Sequence, residues 1–139
     1  MARARARRPT EVFLAHASVD RAFANRLVNI LRAGRVPVWY SSTNIMGAQQ
    51  WHDEIGAALA RCDWFVVVLS RASIASPWVK HELLYALNDR RYRTHIVPIL
   101  YRPCNWRALS WTLNAIQRID FRGSFADGCR ELLRVWGLR

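Results

Sequence analysis

Lysine is almost missing from this sequence, since Lys80 is the one lysine among 21 basic residues. Cysteine is scarce too, with Cys62, Cys104 and Cys129 far apart along 139 residues. An odd number of cysteines and the lack of any C-x-x-C pair argue against a disulfide framework and a zinc knuckle. The four histidines, His16, His52, His81 and His95, show no ligand spacing, so no metal site is expected. Neither G-x-G-x-x-G nor a P-loop follows the first strand signal, which removes the usual dinucleotide and nucleoside-triphosphate cradles. No apolar run approaches the roughly 18 residues of a membrane span. The leading Met1-Ala-Arg-Ala-Arg stretch has charge without an apolar core behind it and does not read as a secretory signal. These absences together point to a reducing, cytoplasmic setting away from the membrane.

What is present is apolar and strongly basic. A hydrophobic fraction of 52%, with seven Trp and five Phe, supplies enough apolar surface for one well-packed domain. The formal net charge is +11. Arg3, Arg5, Arg7 and Arg8 belong to a leading stretch, residues 1–10, read as a basic flexible tail, and the other arginines are spread rather than striped. Such charge favours non-specific association with anionic surfaces. Without a docking element, nucleic-acid binding stays the weaker expectation.

Strand and helix signals then alternate. Glu11 to Ala15 is an apolar run opening into a polar turn, His16 to Asp20. Asp20 can cap a helix carrying Phe23, Leu27, Ile30 and Leu31 at helical intervals, with Gly34 as its stop. Val36 to Trp39 reads as a second strand, placed at a sheet edge by its proline. Tyr40 to Gly47 is a polar loop, followed by a helix with Trp51, Ile55, Leu59 and Cys62 on one side. Trp64 to Leu69 is apolar throughout, as a central parallel strand should be. A loop over Ser70–Ser76 leads to Ser76-Pro77, an N-cap followed by a proline at the first helical position. That helix buries Val79, Leu83, Ala86 and Leu87. His95 to Leu100 and Ile116 to Phe121 are the last two strands, and a closing helix carries Phe125, Cys129, Leu132, Leu133 and Trp136.

Parallel neighbours need crossovers, so this order predicts an α/β fold. It would be a flavodoxin-like five-stranded parallel sheet in the order 2-1-3-4-5, with helices on both faces. The ligand crevice of such a sheet lies beyond the carboxyl ends of strands 1 and 3. A phosphate-accepting receiver would carry a carboxylate at the end of strand 3, where this chain has Leu69-Ser70. The chemistry-bearing pattern left at the crevice is Trp78-Val-Lys-His-Glu82. Residues four apart share a helix face, so an indole and a carboxylate become neighbours beside the apolar stripe, with Tyr85 one turn on. An aromatic platform and a negative charge suit a planar cation and developing positive charge.

Several segments now form a recognisable set. Val12-Phe-Leu-Ala-His-Ala-Ser18 resembles the first signature box of Toll/interleukin-1 receptor (TIR) domains. Val38-Trp-Tyr-Ser-Ser-Thr-Asn-Ile-Met-Gly47 resembles their second strand and BB loop. Cys62 to Ser70 and Ser76 to Leu83 are similar to the third strand and to the W-x-x-x-E helix of bacterial members. The resemblance implies a TIR domain over residues 11–139. It also implies an NAD+ glycohydrolase that cleaves the nicotinamide–ribose bond to ADP-ribose or a cyclic isomer, in antiphage defence or cell-death signalling. In that reading NAD+ is the substrate and no separate cofactor is needed. Glu82 would be catalytic, and Trp78, His16, Ala17, Ser18, Ser41, Asn44 and Ile45 would line the substrate site. Self-association through TIR–TIR contacts would complete the pocket, and a fused or partner sensor domain could supply the signal. The family also contains non-catalytic adaptors, which form the alternative. Ser41 and Ser42 replace the acidic residues common at the start of the BB loop, and Ala17 replaces a larger residue of several members.

Overall fold

The structure is a computed structural model that describes residues 8–41 and 48–138. Five parallel strands form one sheet in the order β2-β1-β3-β4-β5. They are β1 (Val12–Ala15), β2 (Val38–Tyr40), β3 (Trp64–Leu69), β4 (Ile96–Leu100) and β5 (Ile119–Asp120). The helices are α1 (Arg21–Ala33), α2 (Ala48–Arg61), the single turn α3 (Arg71–Ile74), α4 (Pro77–Asn88) and α5 (Phe125–Val135). The sheet is flavodoxin-like, and its order and parallel sense match the expectation from the alternating signals.

The central strands are apolar because both faces are covered. On one face α1, α5 and the residue that ends α5 pack Leu27, Leu31, Leu132 and Trp136 over Leu14, Val66 and Val68. On the other, α2 and α4 pack Ile55, Leu59, Val79 and Leu83 over Phe13, Phe65 and Val67. Phe13 lies stacked between Trp39 and Phe65, with ring centroids 5.0 and 5.5 Å away. Ile30 departs from the expected α1 face: it is exposed, while Ala24 and Val28 join the buried stripe. The side chain of Trp51 lies outside the described residues. Upstream of β1, Arg8 donates to the Gly34 carbonyl at 3.0 Å, and the Thr10 and Glu11 amides donate to the Asp63 carboxylate.

The structure departs from the sequence expectation at three further points. Asp20 does not cap α1 with its side chain; its carboxylate accepts a 2.5 Å bond from the Ser70 hydroxyl instead. The expected loop over Ser70–Ser76 contains the turn α3, because Ser70 and Ser73 form a reciprocal capping box. The fifth strand is two residues long rather than spanning Ile116–Phe121. Its shortness follows from Pro98. The His95 carbonyl accepts from Phe65 on the β3 side, and the Leu100 carbonyl accepts from Phe121 on the β5 side. Backbone direction alternates along a strand, so Pro98 turns its missing N–H toward β5. Pairing there holds only at Ile99–Ile119 and Leu100–Asp120. Arg118 instead donates to the carbonyls of Leu113 and Ile116, at 2.9 and 3.2 Å.

Candidate active site

The α4 helix starts where the sequence places it. The Ser76 hydroxyl accepts from the Val79 amide at 3.3 Å, and Pro77 occupies the first turn. From there α4 runs back along the sheet, with Val79, Glu82, Leu83 and Ala86 buried. Glu82 therefore belongs to the inward face, not beside it as the spacing suggested; the residue is 8% exposed. Among the described residues its carboxylate has no hydrogen-bond or ion-pair partner. Burial alone pushes its pKa up to about 8, because a charge removed from water without a counter-ion is strongly disfavoured.

Trp78 sits at the helix tip and remains 45% exposed. Its ring has His52 at 6.2 Å and His81 at 6.4 Å, both edge-on. The pair that spacing placed on one face is thus divided by depth, the carboxylate inside and the indole at the surface. Tyr85, one turn on, is also exposed.

The loop after β1 approaches from the other side of the crevice. Ala17 is buried, and Ser18 opens a one-turn 3-10 helix, Ser18–Asp20. His16 spans two segments: Nδ1 lies 2.7 Å from the Ala17 carbonyl and Nε2 lies 3.1 Å from the Ser41 carbonyl. Its ring ties the end of β1 to the chain leaving β2. The structure thus brings His16, Ala17 and Ser41 to one corner of the sheet. Asn44 and Ile45 lie outside the described residues.

One contact at the crevice escaped the motif reading. Asp20 is 9% exposed, and the Ser70 hydroxyl that donates to it also accepts from the Ser73 amide at 3.1 Å. This bond links the β1 and β3 loops across the switch point. A cavity of about 400 Å³ beside it is lined by Asp20, Ser70, Arg71 and Arg102. The only signal in the sequence was a serine where a receiver would carry its phosphorylated carboxylate.

No activated thiol competes for a catalytic role. Burial pushes Cys62 up to about 12 and Cys129 up to about 11, and it raises Cys104 as well. Such thiols are poor nucleophiles at neutral pH. Among the described residues, no cluster of three His, Cys, Asp or Glu side chains could hold a metal ion. Nor does any helix there reach the length and apolarity of a membrane span.

A parallel 2-1-3-4-5 sheet covered by helices defines the class, a flavodoxin-like α/β domain, here with a buried glutamate on α4 that has no partner among the described residues. The family follows from the whole length of the fold. Residues 12–133 match the model of the TIR domain family, and the chain belongs to that family. No curated protein matches its sequence. Among solved structures, it is similar to the TIR domain of the Toll-related receptor TRR-2 from Hydra magnipapillata. That match has a TM-score of 0.72 and 23% identity, covering 88% of this chain and 94% of the other. It is also similar to the TIR domains of the activated Roq1 resistosome, which directly recognises the pathogen effector XopQ. There the TM-score is 0.68 and the identity 17%, covering 89% of this chain and 97% of the other. At these identities the likeness speaks for the fold.

Proposed function

We propose that this TIR domain is an NAD+ glycohydrolase in which Glu82 is the catalytic carboxylate. The observation that carries the reading is a buried glutamate with no described partner, on the helix beside the switch point. A solvated surface glutamate would be exposed, and a structural one would be paired. Perturbed, unpartnered carboxylates concentrate where a charge is needed only when substrate arrives.

Nicotinamide in NAD+ is already a cationic leaving group, so its departure needs no general acid. The reaction needs stabilisation of an oxocarbenium-like ribose, the role of the second carboxylate in sugar hydrolysis. Burial, which raises Glu82 to about 8, would favour its protonated form near neutral pH. A cationic substrate favours the ionised form, so binding would expel the proton and leave the negative charge beside the anomeric carbon. Trp78, half open at the helix tip, would wall the nicotinamide side. His16 would fix the spacing between the β1 loop and Ser41. Water or an internal nucleophile would then complete the reaction, giving ADP-ribose or a cyclic isomer.

The Glu82→Gln variant tests this directly. It keeps the side-chain shape and is expected to retain the far-ultraviolet spectrum while nicotinamide release falls by roughly 10²–10³ or more. Chromatography of NAD+ incubations reads the product. Turnover by a folded Glu82→Gln protein at the parent rate would end the assignment.

The alternative, a scaffold that binds other TIR domains without turnover, draws on a different observation. Trp111 is 81% exposed and Val19 77%, apolar side chains that a partner could cover. A clustered parent protein that never releases nicotinamide would select that reading.

A further inference from the structure

At the opposite end of the sheet from the β1 and β3 loops, the short β5 strand leaves a space. The amino-terminal half of β4 has no strand neighbour on that side, because pairing with β5 begins only at Ile99. Residues 115–118 do not pair with Ile96 and Val97, and both segments line the space between them. A cavity of about 720 Å³ occupies the gap between this segment, β4 and the last turns of α5. Its floor is apolar, with Ile96, Val97, Ile119 and Val135 among the lining residues.

Its charged side chains are of mainly one sign. Arg93, Arg118 and Arg134 line it against a single carboxylate, Glu131. Arg118 is engaged with two carbonyls and lies 3.9 Å over the Trp106 ring. The side chains of Arg93, Arg134 and Glu131 have no hydrogen-bond or ion-pair partner among the described residues. Trp64 belongs to the same wall, stacked on His95 at 4.1 Å with Trp136 edge-on at 5.8 Å. It is 7% exposed, and its indole N–H, like that of Trp136, is buried without an acceptor among the described residues. Buried donors are normally satisfied, so the open N–H groups of Trp64 and of Trp136 behind it mark the wall of this cavity as incompletely packed.

We propose that this cavity binds a small amphipathic anion, with its apolar body against Ile119 and Val135 and its charged head between Arg93 and Arg134. An apolar floor with a few convergent polar groups is the usual build of a small-molecule site. Two free guanidiniums select an anionic head. The site lies apart from Glu82, so it does not depend on the proposed NAD+ chemistry.

Anilinonaphthalene sulfonate is a suitable probe, because it joins an aromatic body to one fixed negative charge. The intact chain is expected to bind it saturably, at one site per molecule. The double variant Arg93→Glu/Arg134→Glu should weaken binding about tenfold or more, and the uncharged analogue N-phenylnaphthylamine should bind at least as weakly. The indole N–H resonance of Trp64, identified by its loss in Trp64→Phe, should shift on titration. Both arginines are exposed, so the double variant should keep the parent's circular dichroism. Undiminished binding by that variant would overturn the site. So would equal binding of the neutral analogue, several dye molecules per chain, or an unmoved Trp64 resonance.

Discussion

Two buried carboxylates, Asp20 after β1 and Glu82 on α4, are provided for in opposite ways. Asp20 accepts a hydroxyl hydrogen bond from Ser70, whereas Glu82 has no described donor. The difference has a consequence for stability. Burial raises Glu82 from its ordinary 4.5 to about 8, so the folded chain holds a proton there that the unfolded chain has released. The unfolded state binds fewer protons across that window, and stability therefore falls as pH rises through it. The contribution is fully present below about 4.5 and is lost as pH climbs toward about 8. Its size is on the order of a few kcal/mol. Glutamine cannot ionise, so the Glu82→Gln protein should become progressively more stable than the parent between about pH 5 and about pH 9. Urea melts of both proteins across that range measure the gap. Parallel curves would mean that Glu82 is solvated after all. The glutamate itself was legible as a motif position, but its depth was not. Helical spacing put it 60° or so from the stripe, and only the closeness of the packing decides whether such a flanking residue is covered.

At the scale of elements, the stops and seams are where local signals were only half informative. Gly34 was read as the stop of α1, and it does occupy the position after Ala33. The left-handed residue is its successor, Arg35, with φ of 63°. The Val36 amide donates back to the Leu31 carbonyl and the Arg35 amide to Arg32, so the chain turns one residue later than the glycine suggests. Arginine pays a steric penalty in that conformation that glycine avoids. Arg35→Gly is expected to stabilise the domain by roughly 0.5–1 kcal/mol, seen as a higher midpoint in thermal melts. A lower midpoint would show that the Arg35 side chain does more than its backbone suggests. Gly128 is the converse case, a glycine inside α5 that helix propensity alone would replace. An added Cβ there would fall 2.6 Å from the Phe121 ring, which is buried against Phe23 and Phe125. Gly128→Ala should therefore destabilise by about 1–3 kcal/mol despite the better helix former. A neutral or stabilising effect would mean that Phe121 can move aside. The strand seams show the same limit. Apolar runs marked β1, β3 and β4, which are buried on both faces, and the alternation of strands with helices gave the parallel sense and the order, whereas β5 ends on the exposed Asp120. The length of β5 was hidden because it depends on the direction in which Pro98 points its missing donor, a property of β4.

The whole molecule carries a net charge of +11, and this sets how copies meet. Two such domains repel at long range, and the repulsion is screened over about 10 Å at 0.1 M salt. The exposed apolar residues Trp111 and Val19 gain from burial whatever the salt. Self-association built on apolar contact should thus strengthen as salt rises from low to moderate concentration. Attachment to a polyanion would weaken steeply over the same range through lost counterion release. Sedimentation velocity at several salt concentrations separates these two behaviours. The proposed NAD+ reading adds a kinetic expectation. If a neighbouring copy completes the pocket, turnover per molecule should rise with protein concentration, and rise further with salt in step with the oligomer. Tethering copies together at low concentration should restore the rate lost on dilution, since linked copies see each other at high effective concentration. Full activity in a dilute monomer would place every group needed for chemistry within one chain, leaving the contact face to another purpose.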